Sequence, residues 1–122
     1  MNISKLLGRW TLTSAPFKCR PKILSEIIID FHENGRASIY DTANSSHCSY
    51  TVTFNEDNTT GILNFKCSGW TKRGRLWNTN DEVQEAALAD NFIHSLIRNP
   101  ISFESNNILK IKHLDALYEF SN

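Results

Sequence analysis

The chain has no long hydrophobic run, no excess of charge and few cysteines. Its isoleucine triplet, Ile27-Ile28-Ile29, falls far short of the ~18 apolar residues that a membrane-spanning helix needs. In 122 residues, 13 Lys and Arg balance 13 Asp and Glu, so no net field favours generic binding to a polyanion. The opening Met1-Asn2-Ile3-Ser4-Lys5-Leu6-Leu7 lacks the apolar core and cleavage site of a secretory leader. A cytoplasmic location is therefore expected, and the Asn-x-Ser/Thr triplets at Asn2, Asn44 and Asn58 then carry no glycan. Three cysteines with no Cys-x-x-Cys spacing give no basis for a zinc site, so no metal and no cofactor are expected. In a reducing compartment Cys48 and Cys67 are expected as free, buried thiols even if they are cross-strand neighbours.

Catalytic patterns are missing as well. There is no Gly-x-Ser-x-Gly elbow, no His-Glu-x-x-His pair and no phosphate loop. His32, His47, His94 and His113 are scattered, and none sits beside a nucleophile and an orienting acid. No catalytic residue is nominated, and an enzyme is not expected.

What is present is alternation. Between residues 27 and 67 apolar side chains recur at every second position, the period of a half-buried strand. Ile27, Ile29 and Phe31 share one face. A three-residue loop, Glu33-Asn34-Gly35, sets Phe31 opposite Ala37 and Ile29 opposite Ile39, with Gly35 in the left-handed conformation. Cys48, Tyr50, Val52 and Phe54 alternate with polar residues. Pairing Val52 with Leu63 sets Tyr50 opposite Phe65 and Cys48 opposite Cys67.

Before this meander, residues 3–7 read as one helical turn, residues 9–14 as a strand with Trp10 and Leu12 inward, and residues 15–22 as a proline-punctuated loop. From Lys5 to Lys22 there are five basic residues and no acid, which is either a solvated loop or a positive rim. After the meander, residues 68–77 interleave Trp70 and Trp77 with Lys72, Arg73 and Arg75. This is an exposed loop with its aromatics folded back, a protein interface, or a base-stacking clamp.

A helix over residues 80–98 follows. Thr79 and Glu82 form a capping box, and Asp81, Glu82 and Glu85 favour the positive end of the dipole. Its stripe is Val83, Ala86, Ala89 or Asp90, Ile93, Leu96 and Ile97, widened by Phe92, and it stops before Pro100. Three short strands close the chain at residues 101–104, 108–113 and 117–120. The sum is a single mainly β domain, 1–122, with about eight antiparallel strands in a meander and one helix, enough to close a small barrel.

Gly8-Arg9-Trp10 ahead of the first strand resembles the glycine-x-tryptophan signature of lipocalin-like barrels. The order of the whole chain is similar to the META-domain family of bacterial proteins. It shares the early tryptophan, a strand ending near Phe31 before a glycine turn, a helix over 85–96, and two closing strands at Leu109-Lys110-Ile111 and Leu117-Tyr118-Glu119-Phe120. That family's Gly-Cys-Asn segment is absent, since Cys48 stands in His47-Cys48-Ser49. The resemblance implies a fold.

Two functional classes remain. The lipocalin-like start suggests a carrier of a small apolar ligand, with Trp10, Phe31, Tyr50, Phe54 and Phe65 lining a cavity or filling it. The favoured class is a protein-binding inhibitor of the immunity type, a bacterial cytoplasmic monomer that neutralises a toxin domain, with neither nucleic acid nor membrane as its target. Segregated charge suits it, because steering speeds capture. Residues 81–90 carry Asp81, Glu82, Glu85 and Asp90 with no cation, and residues 66–75 carry Lys66, Lys72, Arg73 and Arg75 with no anion. Against a nuclease with a basic cleft, the helix start and the Glu56-Asp57 loop are the expected contacts, with Trp70 and Trp77 as the other candidate face.

Overall fold

In the computed structural model, which describes residues 3–74 and 77–122, eight antiparallel strands close into a barrel in chain order. They are β1 (Gly8–Ser14), β2 (Ile28–Phe31), β3 (Arg36–Tyr40), β4 (Ser45–Phe54), β5 (Thr60–Cys67), β6 (Arg98–Ser105), β7 (Ile108–His113) and β8 (Ala116–Ser121). Each pairs with its successor and β1 pairs with β8, so no edge is left open. The architecture is that of a small lipocalin-like barrel, mainly β with one long helix, α2 (Asn80–His94).

The registers follow the alternation. Phe31 faces Ala37 and Ile29 faces Ile39. Cys48 faces Cys67, Tyr50 faces Phe65 and Val52 faces Leu63. Gly35 has φ +74°, the left-handed value that the three-residue loop needs. A one-residue slip in any of these pairs would turn the apolar set outward.

The interior is occupied by its own side chains. Trp10, Phe31, Tyr50 and Phe65 are buried and Phe54 is half-buried. Phe31 packs edge-on to Tyr50 at 4.9 Å and stacks on Phe65 at 5.9 Å. Trp10 and Phe54 each meet Phe103, at 6.0 and 6.1 Å. The Trp10 indole donates to the Leu6 carbonyl at 2.8 Å, which ties the buried Leu6 to the start of β1.

Four features differ from the sequence reading. The segment expected as a loop up to Lys22 contains a single helical turn, α1 (Pro21–Leu24), with proline at its first position where the missing N–H costs nothing. The long helix stops at His94 instead of residue 98. Arg98, Asn99 and Pro100 already pair with β5, while pairing with β7 starts only at Ile101. Pro100 therefore sits where β6 has no second neighbour to receive an N–H. The buried face of α2 is also rotated: Glu82, Glu85, Ala86, Ala89, Asp90 and Ile93 are buried, and Val83 is exposed. Finally, Cys48 and Cys67 are joined by a disulfide rather than being free thiols. The register that sets their Cα atoms 4.1 Å apart on one face allows the bond. Cys19 is the free cysteine.

Candidate interaction surface

An up-and-down barrel sends alternate connections to opposite ends. One end carries the short connections Glu33-Asn34-Gly35, residues 55–59 and Asn106-Asn107, together with the helical turn Ile3–Lys5 that leads into β1. The other carries the remaining connections. There lie α1 between β1 and β2, residues 41–44 between β3 and β4, the segment 68–97 with α2 between β5 and β6, and Leu114-Asp115 between β7 and β8. Loops on a rigid scaffold are where binding residues concentrate.

Three of the four acidic residues of α2, Glu82, Glu85 and Asp90, hold this end together. Thr79 caps the helix by accepting from the Glu82 N–H at 3.2 Å, and its hydroxyl donates to Glu82 Oε1 at 3.1 Å. Glu82 pairs with Lys22, whose ammonium holds the Glu82 carboxyl below its ordinary range, helped by the Thr79 hydroxyl. Glu85 accepts from the Arg20 N–H and pairs with the Arg20 guanidinium. Asp90 accepts from the Thr42 N–H at 3.0 Å and the Thr42 hydroxyl at 2.9 Å. The positive segment, read from the sequence as either a solvated loop or a rim, is thus used in part as the counter-charge of the helix.

Asp41 organises the next loop. Its Oδ1 accepts from the N–H groups of Ala43 and Asn44, at 2.8 and 2.5 Å, and its Oδ2 lies 2.7 Å from His94 Nε2. The His94 ring stacks on Trp70 at 3.8 Å. Asn44 then fastens the tryptophan loop. Its side-chain oxygen accepts from the Thr71 hydroxyl at 3.0 Å and the Arg73 N–H at 2.6 Å. The Ser46 hydroxyl donates to the Gly69 carbonyl at 2.5 Å, and the Thr71 N–H donates to the Ser45 carbonyl at 3.0 Å. A segment without regular secondary structure is fixed to the barrel largely by its backbone, and the Lys72 and Arg73 side chains are exposed.

The nominated residues divide accordingly. Lys72 and Arg73 are exposed, and neither forms an ion pair among the described residues. Arg75 lies outside the described residues. Trp70 is half-buried against His94, and Trp77 is half-buried with Lys22 above its ring at 5.8 Å. Asp81 is exposed at the helix start, whereas Glu82 and Glu85 are buried. Glu56 and Asp57 are exposed at the opposite end of the barrel, so they do not join the helix acids in one patch. Asp57 is occupied with its own turn. The N–H groups of Thr59 and Thr60 donate to its carboxylate and hold its pKa below the ordinary value.

The charged loop borders a cleft of about 350 Å³ lined by Arg9, Glu26, Ile28, Tyr40 and Arg73. A second hollow, sharing Glu26 and Arg73, continues to Trp77. Arg9 lies over the Tyr40 ring at 5.8 Å. No local sequence pattern marks Arg9, Asp41 or His94 as site residues, because Arg9 meets Asp30 21 positions away and Asp41 meets His94 53 positions away.

Ser38 lies 3.2 Å from His32 Nε2 and 3.4 Å from His47 Nδ1, and no carboxylate orients either ring among the described residues. No three His, Cys, Asp or Glu side chains gather as a metal site would require among the described residues. No helix among them is long and apolar enough to cross a membrane. The chain matches no protein-family model, no curated protein and no solved structure.

Proposed function

We propose that this chain is a non-enzymatic inhibitor of the immunity type, a protein of META-like ancestry that neutralises a protein toxin by covering part of its surface. The observation that carries this reading is the loop around Trp70. It is fastened to the barrel through Asn44, Ser45 and Ser46, yet Lys72 and Arg73 stand free on it between two tryptophans. A preorganised loop loses little entropy on docking, and tryptophan beside arginine is the composition of interface hot spots. Because Glu82, Glu85 and Asp90 are engaged within the chain, the docking face offers cations. The partner surface it suits is acidic, so a basic nuclease cleft is the poorer match.

The test is capture of a stoichiometric protein partner whose toxic activity disappears on binding. The double variant Lys72→Glu/Arg73→Glu is expected to weaken that complex at least tenfold, with the partner still captured by Asp81→Lys. A complex insensitive to the first variant and lost with the second would move the site to the helix start. Recovery of a small apolar molecule on denaturation, with no protein partner, would instead favour the carrier class.

A further inference from the structure

We propose that the chain associates with a second copy of itself through the β7–β8 turn, each Leu114 seating in the groove beside the other copy's Ile97. The starting observation is a conformational outlier. Leu114 and Asp115 both have positive φ, +48° and +65°, as a two-residue turn between right-twisted strands requires. Asp tolerates that region and Leu does not, because its branched side chain crowds the backbone there. Asn or Gly would close the turn without strain. Leu114 is nevertheless present, and it is 86% exposed. A strained, bulky and apolar residue held in water at a hairpin tip gains nothing for the folded monomer. Such strain persists where another contact repays it.

That contact has its receptor on the same face. A groove of about 420 Å³ runs beside the turn, lined by Ile97, Arg98, Pro100, Lys112, Leu114 and Asp115. Ile97 is 69% exposed, and Leu117, which pairs with Lys112 across the strands, is 54% exposed. Knob and groove are adjacent on one surface, which is the condition for an isologous two-fold contact. The charges satisfy the same condition. Asp115 is fully exposed, and its own Lys112 reaches it only at 4.0 Å. Arg98 and Lys112 border the groove. A two-fold rotation carries Asp115 of one copy towards Arg98 and Lys112 of the other, so opposite charges meet around the apolar centre. A partner of a different kind would not need both signs and both shapes on one patch.

The patch is small, so the association is weak, with a dissociation constant on the order of 100 μM. Sedimentation of the purified chain from about 1 μM to about 1 mM spans that value. The expected result is a reversible monomer–dimer equilibrium that weakens with added salt. Leu114→Asn is expected to raise the melting temperature, because Asn accepts the left-handed region, while weakening the dimer at least tenfold. Ile97→Ser, at an exposed position, is expected to weaken the dimer comparably. Asp115→Asn keeps the turn and is expected to weaken it several-fold. A monomer at every concentration overturns the proposal. So does a dimer that both Leu114→Asn and Ile97→Ser leave unchanged.

Discussion

Glu85 holds Arg20 at two points. Its Oε1 accepts from the Arg20 backbone N–H at 2.8 Å, and its Oε2 lies 2.8 Å from the guanidinium Nε. The two residues are 65 positions apart, so this contact docks the turn α1 against the helix α2. Glu85→Ala leaves the Arg20 N–H unsatisfied in a half-buried setting. It is expected to lower stability by about 1–3 kcal/mol, read as the urea midpoint at constant m. Glu85→Gln keeps an acceptor for the N–H and is expected to lose less. A loss no greater than that of an exposed control such as Asp81→Ala would show that the clasp is idle.

The Glu82–Lys22 pair gives the chain an acid limb. The Lys22 ammonium holds the Glu82 carboxyl below its ordinary value of 4.5. The folded state therefore binds the proton less readily than the unfolded state. This pair's contribution is complete above pH 4.5 and is lost as pH falls through the depressed folded value. Lys22→Met should flatten the fall of stability below pH 4.5 while leaving its alkaline side unchanged. Denaturant titrations at neutral and acidic pH, compared between the two chains, read the difference. An identical acid limb in both would place the titrating group elsewhere.

Much of the barrel is legible in the sequence because a strand reports its own register. Phe31 opposite Ala37 and Tyr50 opposite Phe65 follow from alternation alone, since any slip exposes the apolar set. The helix face was not legible. Val83 belongs to the apolar stripe by period, yet Glu82 and Glu85 are turned inward instead, because Lys22 and Arg20 arrive from α1 to neutralise them. No periodicity within residues 80–94 contains that information. The disulfide failed for a different reason. The pairing of Cys48 with Cys67 is readable, but oxidation depends on compartment, which spacing does not encode. The anchoring of the tryptophan loop is not legible either, since Asn44 serves residues 27 and 29 positions further on through its side chain.

Gly61 pairs with Phe54 at the end of the β4–β5 ladder. A Cβ there would lie 2.5 Å from the Thr53 carbonyl oxygen and 3.1 Å from the Phe54 Cα. Both are backbone atoms of the paired strand, so no flexible side chain can give way. Gly61→Ala is expected to cost about 2 kcal/mol by forcing the strands apart. Gly74→Ala, which meets nothing within 4 Å and has no left-handed φ, is the matched control and should be neutral. Thermal melts of the two variants decide it, and equal melting temperatures would mean that the ladder absorbs the methyl group.

The three cysteines yield a count that reports the oxidation state directly. Cys48 and Cys67 are bonded, and Cys19 is free and half-buried. Burial, reinforced by the Glu85 charge, pushes the Cys19 thiol up to about 11. At pH 8 its thiolate fraction is then roughly one thousandth, so the native chain should barely react with a thiol reagent over minutes. Denaturation should release one thiol per chain, and denaturation with reductant should release three. Cys67→Ser should release two on denaturation, one of them from Cys48. Reduction or Cys67→Ser should also lower stability by about 3 kcal/mol, since the bond closes a loop spanning 19 positions. Three thiols from the chain denatured without reductant would mean that the register brings the sulfurs together without oxidising them. The 3 kcal/mol loss on adding reductant would then vanish as well, so the two measurements must agree.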